Sequence, residues 1–225
     1  MLLVVGLGNP GPEYAEDRHN AGFQVVDELA GEPGAEPWRS KFSGMLCRLR
    51  LAGDDVLLLK PQTFMNRSGD SVQPAAAFFR IPAQDIVVVH DEVDLPLGTV
   101  RLKHGGGLAG HKGLKSIASR LATQDFGRVR VGVGRPPEGF RGEMADYVLA
   151  PLSGQARAEL PTILKIAAES VLDIAAHGFP AAMKTRNTRP SKKRRRPSDD
   201  KPAGGETADG ASEQPKKSAG RSEAT

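Results

Sequence analysis

Cysteine is nearly missing: Cys47 stands alone among 225 residues. That excludes a disulfide framework and a thiolate metal cluster, and it suits a reducing compartment. On a strand-like stretch, a lone cysteine reads as a small buried residue. Long apolar runs are missing too. None approaches the roughly 18 residues of a membrane span. The N-terminus, MLLVVGLGNP, has no basic segment and reaches Gly-Asn-Pro too early for a signal peptide. The expectation is a cytoplasmic protein with no membrane partner. Hydrophobic residues make up 39%, low for a wholly folded chain.

The charge is uneven. Lys184 to Thr225 carry 12 Lys/Arg against 6 Asp/Glu, which leaves 19 against 21 for residues 1–183. The formal net charge of +4 therefore belongs to the C-terminal stretch, and a nucleic-acid site on the body needs a local basic patch. After Arg189 no large apolar residue occurs, so residues 190–225 are expected to be a disordered basic and polar tail. Its Lys192–Arg196 run would add only non-specific attraction to RNA.

Residues 1–189 alternate strand and helix signals. Leu2–Leu7, Gly44–Leu51, Val56–Leu59, Ile86–Val89, Val100–Lys103 and Val129–Val133 read as strands, with a hairpin turn at Gly53-Asp54-Asp55. Gly22–Ala30, Ser68–Phe79, Gly110–Leu121 and Leu160–Ala176 read as helices. The fold class expected is α/β, a single domain with a twisted, mostly parallel mixed sheet and helices on both faces.

Gly6-Leu7-Gly8-Asn9-Pro10-Gly11 spells G-x-G-x-x-G after a strand, the form of a dinucleotide fingerprint. That fingerprint needs a helix starting at once, with backbone N–H groups free for a pyrophosphate. Pro10 and Pro12 each lack an N–H, and no helical apolar stripe follows before Phe23. Asp27 and Glu28 lie near the distance of a ribose contact, yet too little chain precedes them for a crossover helix. A tight turn at Gly6 and Gly8, delivering Asn9 and His19 to the sheet edge, is the better expectation.

Polar residues crowd the ends of three strands: Asn9, Tyr14, Arg18, His19 and Asn20; Phe64, Met65 and Asn66; and His90, Asp91, Glu92 and Asp94. Ligands of α/β sheets bind at carboxyl strand ends. No G-x-S-x-G elbow supplies a nucleophile. An imidazole, a carboxylate and amides suit hydrolysis by an activated water. His90, Asp91, Glu92, Asp94, His104 and His111 offer metal ligands, but none follows H-E-x-x-H spacing. His90 taken singly reads as a packed residue, and His177 as a partner for a helix C-terminus.

Val5-Gly6-Leu7-Gly8-Asn9-Pro10-Gly11 with Tyr14, Arg18-His19-Asn20 and Gly22 resembles the N-terminal signature of bacterial peptidyl-tRNA hydrolases. Lys60-Pro61 with Thr63-Phe64-Met65-Asn66 and Ser68-Gly69 resembles a second block. His90-Asp91-Glu92 with Asp94-Leu95-Pro96 resembles a third, and Lys103 to Ser116 a fourth. The resemblance implies a cofactor-free, metal-free monomeric esterase that releases tRNA from peptidyl-tRNA, with no obligate protein partner. It implies His19 as general base, Asp91 as the acid holding it, and Asn9 as the residue that tells blocked from free aminoacyl-tRNA. Tyr14, Phe64, Met65 and Asn66 are implied contacts for the acceptor end or nascent peptide, and Lys103 and Arg130 for the 5′-phosphate.

One position departs from the resemblance. His111-Lys112-Gly113 stands where much of the family has His-Asn-Gly, and an ammonium cannot accept a hydrogen bond as an amide can. The stretch Gly107-Leu108-Ala109-Gly110 is also less glycine-rich than the family's usual form. The rival readings are an RNA-binding protein on this scaffold, a dinucleotide-dependent oxidoreductase and a metal-dependent hydrolase.

Overall fold

Leu3, Val4 and Val5 are fully buried, so the first strand must be covered on both faces. That is why its apolar run is continuous instead of alternating. The computed structural model describes residues 1–51, 54–152 and 154–188. Among the described residues seven strands form one sheet: β1 (Leu2–Gly6), β2 (Arg39–Lys41), β3 (Gly44–Leu51), β4 (Asp54–Pro61), β5 (Ile86–Glu92), β6 (Val100–His104) and β7 (Gly127–Gly132). Their order is β2-β3-β4-β1-β5-β7-β6. β1, β4, β5 and β7 make a parallel central block. β3 and β6 flank it antiparallel, and β2 pairs antiparallel with β3.

Helices cover both faces, as expected. On one face α1 (Ala21–Ala30), α5 (Gly154–His177) and α6 (Phe179–Thr188) pack over Val4, Val87, Val89 and Val129. On the other, α2 (Gly69–Phe79) and α3 (Lys112–Leu121) pack over Leu3, Val5, Leu57 and Val88. The short α4 (Met144–Val148) precedes α5. No helix among the described residues is long and apolar enough to cross a membrane.

The glycines of the opening motif answer to packing. A Cβ on Gly6 would lie 2.3 Å from the Gly22 carbonyl oxygen, and one on Gly22 would lie 2.3 Å from the Val89 carbonyl oxygen. α1 can therefore sit directly on β1 and β5 only because neither position carries a side chain. Of the three motif glycines only Gly11 has positive φ, so the expected tight turn at Gly6 and Gly8 is corrected to a close approach of helix and strand. Asp27 and Glu28 fall on α1 and not at a second strand's end, which removes the dinucleotide layout.

Other boundaries move for physical reasons. Leu51 pairs with Asp54, so Asp54 and Asp55 belong to the ladder; residues 52 and 53 lie outside the described residues. β5 runs on through His90, Asp91 and Glu92, all buried, so these polar residues end a strand instead of following it. α5 begins at Gly154, before Leu160, because the polar Gln155, Arg157 and Glu159 and the internal Pro161 mask its first turns. β2, α4 and α6 carry no periodic signal. In α6, Asn187 accepts from the Leu102 N–H and donates to the Leu102 carbonyl, both at 2.9 Å. It thereby covers part of the outer edge of β6. The expected tail, 190–225, lies outside the described residues.

Candidate active site

Asn9 follows β1 and is 8% exposed. Its N–H donates to Asn20 Oδ1 at 2.8 Å, and Asn20 Nδ2 donates back to the Asn9 carbonyl at 3.0 Å. This reciprocal pair fixes the loop to the 3₁₀ turn Arg18–Asn20. Asn9 Oδ1 accepts the Met65 N–H at 2.9 Å, which identifies the oxygen of the amide. Its Nδ2 makes no hydrogen bond among the described residues, so the amide turns a donor toward the cavity it lines.

The same 3₁₀ turn carries His19, whose Nδ1 lies 2.7 Å from Asp91 Oδ1. His111 Nε2 approaches that oxygen at 3.2 Å. His111 Nδ1 accepts the N–H groups of Gly113 and Leu114 at 3.2 and 3.4 Å, capping α3 and leaving the ring's proton on Nε2. Asp91 is 3% exposed, and burial alone would raise its carboxyl. The charge interaction with His19 and the hydrogen bonds from His111 and His19 overcome this and hold it well below the usual carboxylate range. An ionised Asp91 accepts only, so His19 must donate from Nδ1. Its Nε2 is then the unprotonated, basic nitrogen of the neutral ring.

His90 is the neighbouring imidazole but plays another part. It is 1% exposed, donates Nδ1–H to the Asp91 carbonyl at 2.7 Å, and stacks edge-on against His111 with centroids 5.0 Å apart. Burial and the nearby His111 push its pKa down to about 3. It is a packed neutral ring.

A cavity of about 550 Å³ opens over these groups. Asn9, His19, Asp91 and His111 line its polar side; Phe64, Met65, Leu108, Met144, Val148 and Leu149 line its apolar side. Asn66, exposed in the 3₁₀ turn Met65–Arg67, also lines it. Met144 and Leu149 are contributed by α4 and the residue that follows it. That wall is held from below by Arg18, whose Nη1 faces the carbonyls of Tyr147, Ala150 and Pro151 at 3.2, 2.8 and 3.0 Å. The Arg18 guanidinium also lies 4.3 Å from the Tyr147 ring centroid.

Ligand atoms of His19, Asp91 and His111 lie within 4.8 Å of one another, so these three could enclose a cation. Their contacts have the lengths of N–H···O bonds, and a metal would have to displace both protons that Asp91 now accepts. The other candidate ligands have partners of their own. Asp94 pairs with Arg135 and His104 with Asp125, while Glu92 accepts from Arg130 Nε at 2.9 Å.

Strand alternation puts Arg101, Lys103, Arg128 and Arg130 on one face of the β6–β7 edge, opposite buried Val100, Leu102, Val129 and Val131. Within this patch Arg128 donates to the carbonyls of Gly105, Gly106 and Gly107, so its charge braces the glycine loop.

A family model for peptidyl-tRNA hydrolases matches residues 3–195. The chain belongs to the peptidyl-tRNA hydrolase family. It is 62% identical over 190 residues to the peptidyl-tRNA hydrolase of Sorangium cellulosum, covering 84% of this chain and 85% of that one. With the one from Mycolicibacterium smegmatis it shares 51% over 185 residues, 82% of this chain and 96% of its relative. The crystal structure of peptidyl-tRNA hydrolase from Acinetobacter baumannii matches at a TM-score of 0.77 and 38% identity, covering 84% and 95% of the two chains.

Of the residues singled out in the sequence, Asn9, His19, Phe64, Met65, Asn66 and Asp91 line one cavity. Tyr14, half-buried in the 3₁₀ turn Pro12–Tyr14, and Lys103 and Arg130 do not. Three supporting roles escaped sequence reasoning: Asn20 clamping Asn9, His111 as second donor to Asp91, and Glu92 holding Arg130. Asn20 and His111 stood within the quoted peptidyl-tRNA hydrolase blocks, but nothing local says which neighbour each one bonds.

Proposed function

We propose that this chain hydrolyses the ester joining a peptide, or an N-blocked aminoacyl group, to tRNA, and so recycles tRNA from peptidyl-tRNAs released early in translation. The observation that carries the reading is the Nδ1 bond from His19 to Asp91, which leaves Nε2 basic in a cavity shared with Asn9. His19 Nε2 takes a proton from water as the water oxygen attacks the ester carbonyl. Asp91 stabilises the imidazolium so formed. The tetrahedral intermediate collapses by breaking the carbon–oxygen bond to the ribose, and His19 returns the proton to that oxygen. The products are a peptide carboxylate and a free tRNA hydroxyl, with no covalent intermediate, metal or cofactor.

Asn9 Nδ2 donates to the N-acyl carbonyl that a blocked aminoacyl group has and a free one lacks. A buried directional donor left unpaired rejects the wrong substrate more strongly than an apolar wall can. The apolar side of the cavity takes the peptide. Asn66, Phe64 and Tyr14 meet the acceptor end, and Lys103 and Arg130 position the 5′-phosphate without reading sequence. On this reading the chain acts as a monomer in the cytoplasm without an obligate protein partner. The test compares tRNA release from N-acetylaminoacyl-tRNA and from unblocked aminoacyl-tRNA, with EDTA present. Rapid cleavage of the blocked substrate alone is expected; equal cleavage of both, or of neither, overturns the reading.

A further inference from the structure

Lys112, the first residue of α3, is exposed and lines the same cavity as His19, Asn66 and Asp91. Among the described residues it is the one lysine or arginine on that lining, and it makes no ion pair or hydrogen bond. Both carboxylates of the lining are already engaged, Asp91 by His19 and His111 and Glu92 by Arg130. The α3 amides of Gly113 and Leu114 are occupied by the His111 side chain, so the helix terminus does not provide the anion site. What remains at the cavity is a single uncompensated ammonium on a flexible stem, a strongly hydrated point charge suited to phosphate.

We propose that Lys112 is a specificity-determining contact that binds a phosphate of the single-stranded 3′ end of the RNA whose ester enters the cavity. The inference rests on the proposed esterase reading and adds a second phosphate contact, distinct from the one assigned to Lys103 and Arg130. A neutral residue here would leave the apolar and amide contacts intact but remove the attraction for a nucleotide entering beside the ester. One contact of this kind, solvent-exposed, is worth about two- to five-fold in binding at low salt. It also releases counterions, steepening the salt dependence of log kcat/KM by about 0.7 for a single strand.

The experiment measures kcat/KM on N-acetylaminoacyl-tRNA and on the phosphate-free N-acetylaminoacyl ester of adenosine. It uses the unaltered chain, Lys112→Met and Lys112→Arg, from about 50 to 200 mM KCl. Lys112→Met should lower the ratio of the tRNA ester to the nucleoside ester two- to five-fold at the lowest salt. It should also flatten the salt slope by about 0.7, and Lys112→Arg should restore both. An equal loss on the two esters would place Lys112 at the reacting carbonyl and overturn the proposal, as would an unchanged slope in Lys112→Met. If the unaltered chain cleaves neither ester, the esterase reading itself fails. The salt slope of uncharged-tRNA binding, read for the same variants, still decides whether Lys112 holds a phosphate.

Discussion

At the scale of single residues, the site is organised by one oxygen. Asp91 Oδ1 receives both His19 and His111, and the two histidines are made unequal by what their other nitrogens meet. The far nitrogen of His111 is consumed by backbone N–H groups, whereas among the described residues Nε2 of His19 has no such claim on it. That asymmetry nominates His19 as the base without appeal to its position in a motif. A general base acts on the transition state and hardly on substrate binding. Replacing it removes a contribution of about 10² to 10⁴ in rate. His19→Ala should therefore lower kcat by that factor while tRNA affinity, measured by fluorescence titration, stays within about two-fold. Near wild-type turnover in this variant would transfer the role to another group.

At the scale of elements, the cavity is a joint between pieces far apart in sequence, and Arg18 shows how the joint is closed. It precedes His19, and its side chain gathers three carbonyls from residues 147–151, while its own N–H donates to Ala150 at 3.3 Å. The wall formed by Met144, Val148 and Leu149 thus hangs from the turn that carries the proposed base. Hydrogen bonds from a charged donor contribute about 1.5–3 kcal/mol when lost from a shielded site. Arg18→Ala should speed amide exchange across residues 144–150 by about ten- to a hundred-fold, with α6 unaffected. It should also raise KM for longer peptides more than for a single N-acetylamino acid. Exchange that is unchanged over 144–150 would mean the wall is held by its own contacts.

Elements of this kind mark where sequence reasoning stops. β1 and β5 were legible because each opens as an apolar run with covered faces, β7 because Val129 and Val131 alternate with Arg130, and α3 because Leu114 and Ile117 repeat at helical spacing. β2, α4 and α6 were not legible. β2 is three polar residues, α4 has one buried side chain, and α6 buries only Phe179 and Ala182. Their positions depend on partners such as Leu102 and Arg18 that lie 85 and 129 residues away. The cavity-lining residues Asn9, His19, Asn66 and Asp91 could be named from strand-end positions and the family resemblance. The clamp by Asn20 and the bond from His111 are tertiary facts, set by chain packing with no local pattern to announce them.

At the scale of the whole molecule, folding must bury polar groups to build this edge, and the consequence is a dependence on pH. His90 is enclosed by its own strand, by His111 at the start of α3 and by Arg128 on β7. Its folded pKa of about 3 lies below the unfolded value of about 6.5. Below pH 6.5 the unfolded chain takes up a proton that the folded chain refuses, so this contribution to stability is complete above that pH and is lost as pH falls toward 3. Asp91, also depressed, adds a loss that begins only below about pH 5. Between pH 7 and 5, then, His90 alone of these two acts, and its share is about 2 kcal/mol. That is a large fraction of a domain's usual 5–15 kcal/mol. Asn in its place can still donate to the Asp91 carbonyl but does not titrate. Urea unfolding at the two pH values should therefore show His90→Asn losing about 2 kcal/mol less than the unaltered chain, whatever its stability at pH 7. Parallel losses in the two proteins would show that the buried ring is not the group whose proton uptake drives acid unfolding.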